Sequence, residues 1–78
     1  MLPPAELEQL LVAAFPDAQV QITDLTGTQD HYEVRVVSAA FAGRAPLARH
    51  RQVYAALGSA MSGPIHALAL HTLTPAEI

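Results

Sequence analysis

Seventy-eight residues, 51% of them hydrophobic, with a formal net charge of −3, make one small domain with room for a core and no more. Cysteine and lysine are absent and the fixed cations are Arg35, Arg44, Arg49 and Arg51, so disulfides are excluded and the dense basic surface of a strong nucleic-acid binder is missing. No apolar run approaches the roughly 20 residues needed to cross a bilayer, and no basic segment followed by an apolar run opens the sequence, so no signal peptide is expected; the expectation is a soluble, cytoplasmic domain, residues 1–78.

Pro3-Pro4 opens a helix, since proline is tolerated in the first turn, with Glu6 and Glu8 near its positive end. Leu7, Leu10, Leu11 and Ala14 recur at helical spacing as one apolar stripe. Pro16 ends the helix, because the residue before a proline avoids the α region.

Ala18 to Thr23 alternates as a half-buried strand, with Val20 and Ile22 on one face and Gln19, Gln21 and Thr23 on the other. A turn built around Gly27 follows. His31 to Val37 is a second strand with Tyr32, Val34 and Val36 inward, and the short polar loop between the two strands means an antiparallel hairpin. Ser38 to Ala45 is irregular, with Phe41 as an anchor.

Pro46 starts the longest helix, whose stripe reads Leu47, His50, Tyr54, Leu57 and Met61, supported by Val53, with Arg49, Gln52 and Ala56 away from it. Ser62-Gly63-Pro64 terminates it. Ile65 to Thr72 is a third strand, and Thr74-Pro75-Ala76-Glu77 is a capping box that begins a final short helix. The order α-β-β-α-β-(α) makes the second and third strands a parallel pair joined by a right-handed crossover. The predicted fold is α+β, a three-stranded mixed sheet with helices on one face in two layers.

Little catalytic chemistry is visible. Ser38, Ser59 and Ser62 have no nucleophile elbow or motif-spaced histidine, and no glycine-rich phosphate loop is present. Phe15, Tyr32, Phe41 and Tyr54 are too few and too scattered for a base-stacking platform. The metal-binding capacity lies in His31, His50, His66 and His71, since neutral imidazole is a natural ligand for transition metals. By residue type alone, His66 is either a ligand or a partly buried histidine bonded to backbone. His31 is either a second ligand or a solvated hairpin residue. His50 reads as a structural histidine held by a core hydrogen bond, and His71 as solvated or packed on the sheet. No His-x-x-His spacing points to binding of a free divalent metal. Arg44, Arg49 and Arg51 form a local patch that is either a phosphate or partner contact or an ordinary solvated face.

The ordered set Asp30-His31-Tyr32-Glu33-Val34-Arg35-Val36-Val37-Ser38, Phe41-Ala42-Gly43, Leu47-Ala48-Arg49-His50-Arg51-Gln52-Val53-Tyr54, Ile65-His66-Ala67-Leu68-Ala69-Leu70-His71-Thr72 and Thr74-Pro75-Ala76-Glu77 resembles the BolA family over nearly the whole chain. The resemblance implies a fold like the class II KH module. It also implies a partner, a monothiol glutaredoxin of the CGFS type, and a [2Fe-2S] cluster shared between them. In such a heterodimer the glutaredoxin supplies a cysteine, glutathione supplies a thiolate and the BolA protein supplies a histidine, which carries over to His66. The family's other candidate ligand, a His or Cys in the loop between the first two strands, has no counterpart in Leu25 to Asp30, and His31 is the nearest substitute. Arg44, Arg49 and Arg51 are then candidate partner contacts.

Two functions follow as expectations. The first is a non-enzymatic adaptor for iron–sulfur trafficking or iron regulation, with no cluster expected in the isolated chain. The second is a nucleic-acid-binding transcription regulator using the KH-like fold. KH domains clamp the backbone with a Gly-X-X-Gly loop, and here Gly43-Arg44-Ala45-Pro46 fails at the last glycine.

Overall fold

The computed structural model describes residues 2–29, 31–58 and 67–78, without the side chain of Ala67. The chain runs α1 (Pro4–Ala14), β1 (Gln19–Asp24), β2 (His31–Val37), a 3-10 turn (Ala39–Phe41), α2 (Pro46–Leu57), β3 (Ala67–Leu73) and a closing 3-10 turn (Pro75–Glu77). The strands form one sheet in the order β1-β2-β3. β1 pairs antiparallel with β2 from Gln19↔Val37 to Asp24↔Tyr32. β2 pairs parallel with β3 from His31↔Ala67 to Val37↔Leu73. The mixed α+β sheet expected from the element order is the one observed.

Both helices start at proline, whose fixed φ suits the first turn, and neither has a side-chain N-cap. Their stability therefore comes from packing. The core joins Leu7, Leu11 and Phe15 of the α1 segment to Tyr32, Val34 and Val36 of β2, Phe41 of the first 3-10 turn, and Val53 and Leu57 of α2. Phe15 and Phe41 meet with ring centroids 5.2 Å apart and planes tilted by 54°, a favourable aromatic arrangement. Val20, Ile22, Leu68 and Leu70 close the helix-facing side of the sheet.

The structure corrects the helical faces. On α1 the buried line is Leu7, Leu11 and then Phe15 just past the helix, whereas Leu10 and Ala14 are exposed. On α2, Val53 and Leu57 are buried and Ala56 packs against the core, while Leu47 is 62% and Tyr54 40% exposed. Arg49, Gln52 and Ala56, expected on the outer face, are half-buried. The helix is rolled from its expected orientation because its contacts are set by Val53 and Leu57 against the sheet. Met61 of the expected stripe lies outside the described residues.

Element ends also differ. α2 stops at Leu57 and not near Ser62-Gly63-Pro64, with Gly58 as its C-cap at φ 53°, ψ −127°, a conformation that favours glycine. Residues 62–64 lie outside the described part. β1 is shifted by one residue, and β3 is described from Ala67 to Leu73. The expected final helix is a single 3-10 turn of three residues.

Candidate functional site

His31 opens β2 immediately after the hairpin turn. That turn is organised by Asp24, whose Oδ1 accepts from the backbone N–H of Thr26 (3.3 Å) and Gly27 (3.0 Å) and whose Oδ2 accepts from that of Gln29 (3.0 Å). Gly27 takes φ 75° at its apex, a left-handed conformation that costs glycine little. The carbonyl of His31 accepts from the Leu25 N–H at 2.8 Å, closing the hairpin. The His31 residue is half-buried.

Parallel pairing places the beginnings of β2 and β3 at the same end of the sheet. His31 is thus in register with Ala67, the residue that follows His66 in the sequence. His66 itself lies outside the described residues. Among the described residues no three or more His, Asp or Glu side chains gather where they could hold a metal ion.

The other histidines are separated from this end. His71 lies on the sheet face away from the helices, with its Nε2 3.6 Å from Glu33 Oε2 and both side chains at least half exposed. Such a pair contributes about 0–1 kcal/mol, and only when the imidazole is protonated. His50 is half-buried on α2, and its ring makes no hydrogen bond among the described residues. The core bond expected for it is not found among the described residues.

The three arginines divide. Arg49 is a structural clamp, 12% exposed at its side chain. Its Nη1 donates to Glu77 Oε1 at 2.7 Å and its Nη2 to Glu77 Oε2 at 3.1 Å. Its Nε donates to the Arg44 carbonyl at 2.8 Å, and Nη1 also reaches the Thr72 carbonyl at 3.4 Å. Planar guanidinium suits this fork geometry. One side chain thereby ties the loop before α2, the end of β3 and the last turn together. Arg44 joins it through its backbone, not its guanidinium. Arg51 and Arg44 are exposed, whereas the Arg49 guanidinium is committed to Glu77.

Glu77 is held on two sides. Arg49, and next the Thr74 N–H at 2.7 Å, lower its carboxyl to about 2. The same ion pair raises the Arg49 guanidinium above its ordinary value. A second polar anchor was not signalled by any motif. Asp17 Oδ2 accepts from the Ala39 N–H and Oδ1 from the Ser38 hydroxyl, both at 2.8 Å. These bonds, the backbone one first, lower the Asp17 carboxyl below its ordinary range. Ser38 is fully buried and its Oγ caps the first 3-10 turn by accepting from the Ala40 N–H at 3.1 Å.

The fold agrees with comparison to known proteins. The family pattern described as BolA-like protein matches residues 11–77. The chain belongs to the BolA family. It is 51% identical over 51 residues to BolA-like protein 1 of Bos taurus, covering 65% of this chain and 38% of that protein. The chain thus spans well under half the length of that mammalian relative. It is 37% identical to the DNA-binding transcriptional regulator BolA of Escherichia coli (strain K12), over 91% of this chain and 74% of that one. Among solved structures, the BolA domain of SufE1 from Arabidopsis thaliana matches with a TM-score of 0.87 at 27% identity, each chain covered in full. Neither the BolA family pattern nor these relatives carry the name of an enzyme.

Proposed function

We propose that this BolA-family chain is a non-enzymatic adaptor that pairs with a monothiol glutaredoxin and lends a histidine, His66, to a [2Fe-2S] cluster held between the two. The observation that carries the reading is the sheet register: His31 is paired with Ala67, so the family's histidine precedes a strand whose start lies beside a second imidazole. The donor set fits a shared cluster better than a resident one. The chain has no cysteine. A partner's sulfur must therefore complete the coordination. Imidazole in place of thiolate takes negative charge from such a cluster and raises its potential.

In this reading the chain's own contribution is small and specific. His66 presents a ring nitrogen, His31 lies at the same sheet end as a second donor, and exposed Arg44 and Arg51 face the partner. The chain works in the cytoplasm. The test is to titrate the chain into cluster-loaded monothiol glutaredoxin under anaerobic conditions and record visible absorption and circular dichroism. Wild type changes the spectrum with 1:1 stoichiometry, and His66→Ala does not reproduce the change. An identical spectrum from His66→Ala overturns the assignment.

A second reading, regulation by binding DNA, is favoured by the name of the Escherichia coli relative. Against it stand the net charge of −3 and the commitment of Arg49 to Glu77. A salt titration of binding to duplex DNA separates the two. Binding that survives near physiological salt with sequence preference promotes the second reading, because non-specific contacts fade steeply with salt.

A further inference from the structure

We infer that the open edge of β1 pairs with the same edge of a second copy of this chain, antiparallel and about a two-fold axis through Gln21, to give a continuous six-stranded sheet.

The pattern of backbone hydrogen bonds carries the inference. Leu25 N–H donates to the His31 carbonyl at 2.8 Å, in the same register as Asp24↔Tyr32 and Gln19↔Val37. Antiparallel ladders alternate hydrogen-bonded and non-hydrogen-bonded pairs. Gln19, Gln21 and Thr23 therefore turn their N–H and C=O groups toward β2, and Val20, Ile22 and Asp24 turn theirs outward. No described residue bonds those outward groups.

Natural edges are blunted by proline, lysine, bulges or inward charges. β1 has none of these; its register is regular, and its one charged residue is Asp24. The Asp24 carboxylate is folded back onto the N–H groups of Thr26, Gly27 and Gln29, so it does not guard the edge.

The edge is also complementary to itself. Pairing Val20 with Ile22 of the second copy makes each a hydrogen-bonded pair and keeps both helical layers on one side of the joined sheet. Val20 and Ile22, half-buried beneath α1, then meet their counterparts on the helix side. Gln21 meets Gln21, and Gln19 meets Thr23, on the other side. No like charges are opposed within the ladder. The cleft of about 340 Å³ between α1 and this strand, lined by Pro4, Ala5, Glu8, Val20 and Ile22, is roofed by the second copy. The inference rests on this edge alone and stands apart from the cluster reading.

The test is sedimentation equilibrium of the whole chain with two substitutions at the axis. Gln21 is exposed and its backbone bonds face β2, where its cross-strand neighbour is Arg35, so Gln21→Lys loses and Gln21→Glu gains a little within the monomer, and circular dichroism verifies that both stay folded. Wild type dimerises with rising concentration. Each variant alone dimerises about fivefold more weakly, because like charges then face each other across the ladder. Mixing the two variants restores or exceeds wild-type association. A wild type that stays monomeric at about 1 mM, which would leave the edge to an extended segment of a different protein, overturns the inference. So does a dimer that ignores both substitutions.

Discussion

Arg49 of α2 and Glu77 of the last turn form a two-pronged ion pair, with contacts of 2.7 and 3.1 Å between residues 28 positions apart. The pair, together with the Thr74 N–H, lowers the folded carboxyl of Glu77 to about 2 from an ordinary 4.5. A depressed acid contributes stability in full above its unfolded value and loses it as pH falls through the folded one. The acid limb of the stability curve between about pH 4.5 and 2 therefore carries this contribution. In Arg49→Ala the Glu77 carboxyl returns toward 4.5, read by NMR titration, and that part of the pH dependence shrinks. An unchanged Glu77 titration contradicts the clamp.

The rolled orientation of α2 has a direct mutational signature. Val53→Ala costs about 2 kcal/mol, since it opens a cavity in the core. Leu47→Ala changes stability by less than about 0.5 kcal/mol, as expected of an exposed side chain. Urea denaturation of both variants checks the contrast, and the reverse ranking would restore the stripe read from hydropathy.

Tyr32 is fully buried on β2, and its hydroxyl donates to the Leu2 carbonyl. Tyr32→Phe leaves that carbonyl without its partner and costs about 1 kcal/mol. Because Leu2 is also held through its N–H to the Gln29 carbonyl at 3.0 Å, the segment before α1 loosens without detaching. Faster amide exchange at Leu2 with unchanged exchange in β2 is the expected result.

Ser38→Ala removes both the cap on the first 3-10 turn and one of the two bonds to Asp17, at a cost of about 1 kcal/mol. Asp17 keeps the Ala39 N–H, the larger cause of its lowered carboxyl. Its titration therefore moves up only part of the way in Ser38→Ala. NMR titration of the Asp17 carboxyl measures this.

At the proposed cluster end, His31→Ala tests the second donor. If His31 is a ligand, the spectrum with cluster-loaded glutaredoxin changes shape while pairing persists. His71→Ala, on the outer sheet face beside Glu33, leaves the same spectrum intact. Equal effects of the two substitutions remove His31 from the ligand set.

How much of this could be read from residues alone varies by element. The hairpin and its faces were legible because alternation in Val20, Ile22, Tyr32, Val34 and Val36 is a direct record of burial in a sheet. The face of α2 was not. Leu47 and Tyr54 look apolar enough to be core, while the stem of Arg49 packs against protein and only its head seeks a partner. That partner, Glu77, was recognised as a capping residue toward Thr74, but nothing local links it to an arginine 28 positions earlier. The motif around His66 was visible as an ordered pattern. The pairing of His31 with Ala67 needed the register of two strands that no short-range signal specifies.

That register has a kinetic meaning as well. Partners in the β1–β2 hairpin are separated by 8 to 18 positions along the chain, whereas every β2–β3 pair is separated by 36. Closing the longer loop costs more chain entropy before any contact repays it. The hairpin can hold its shape while the last strand waits to dock, so β3 is expected to join the sheet after β1 and β2 have paired.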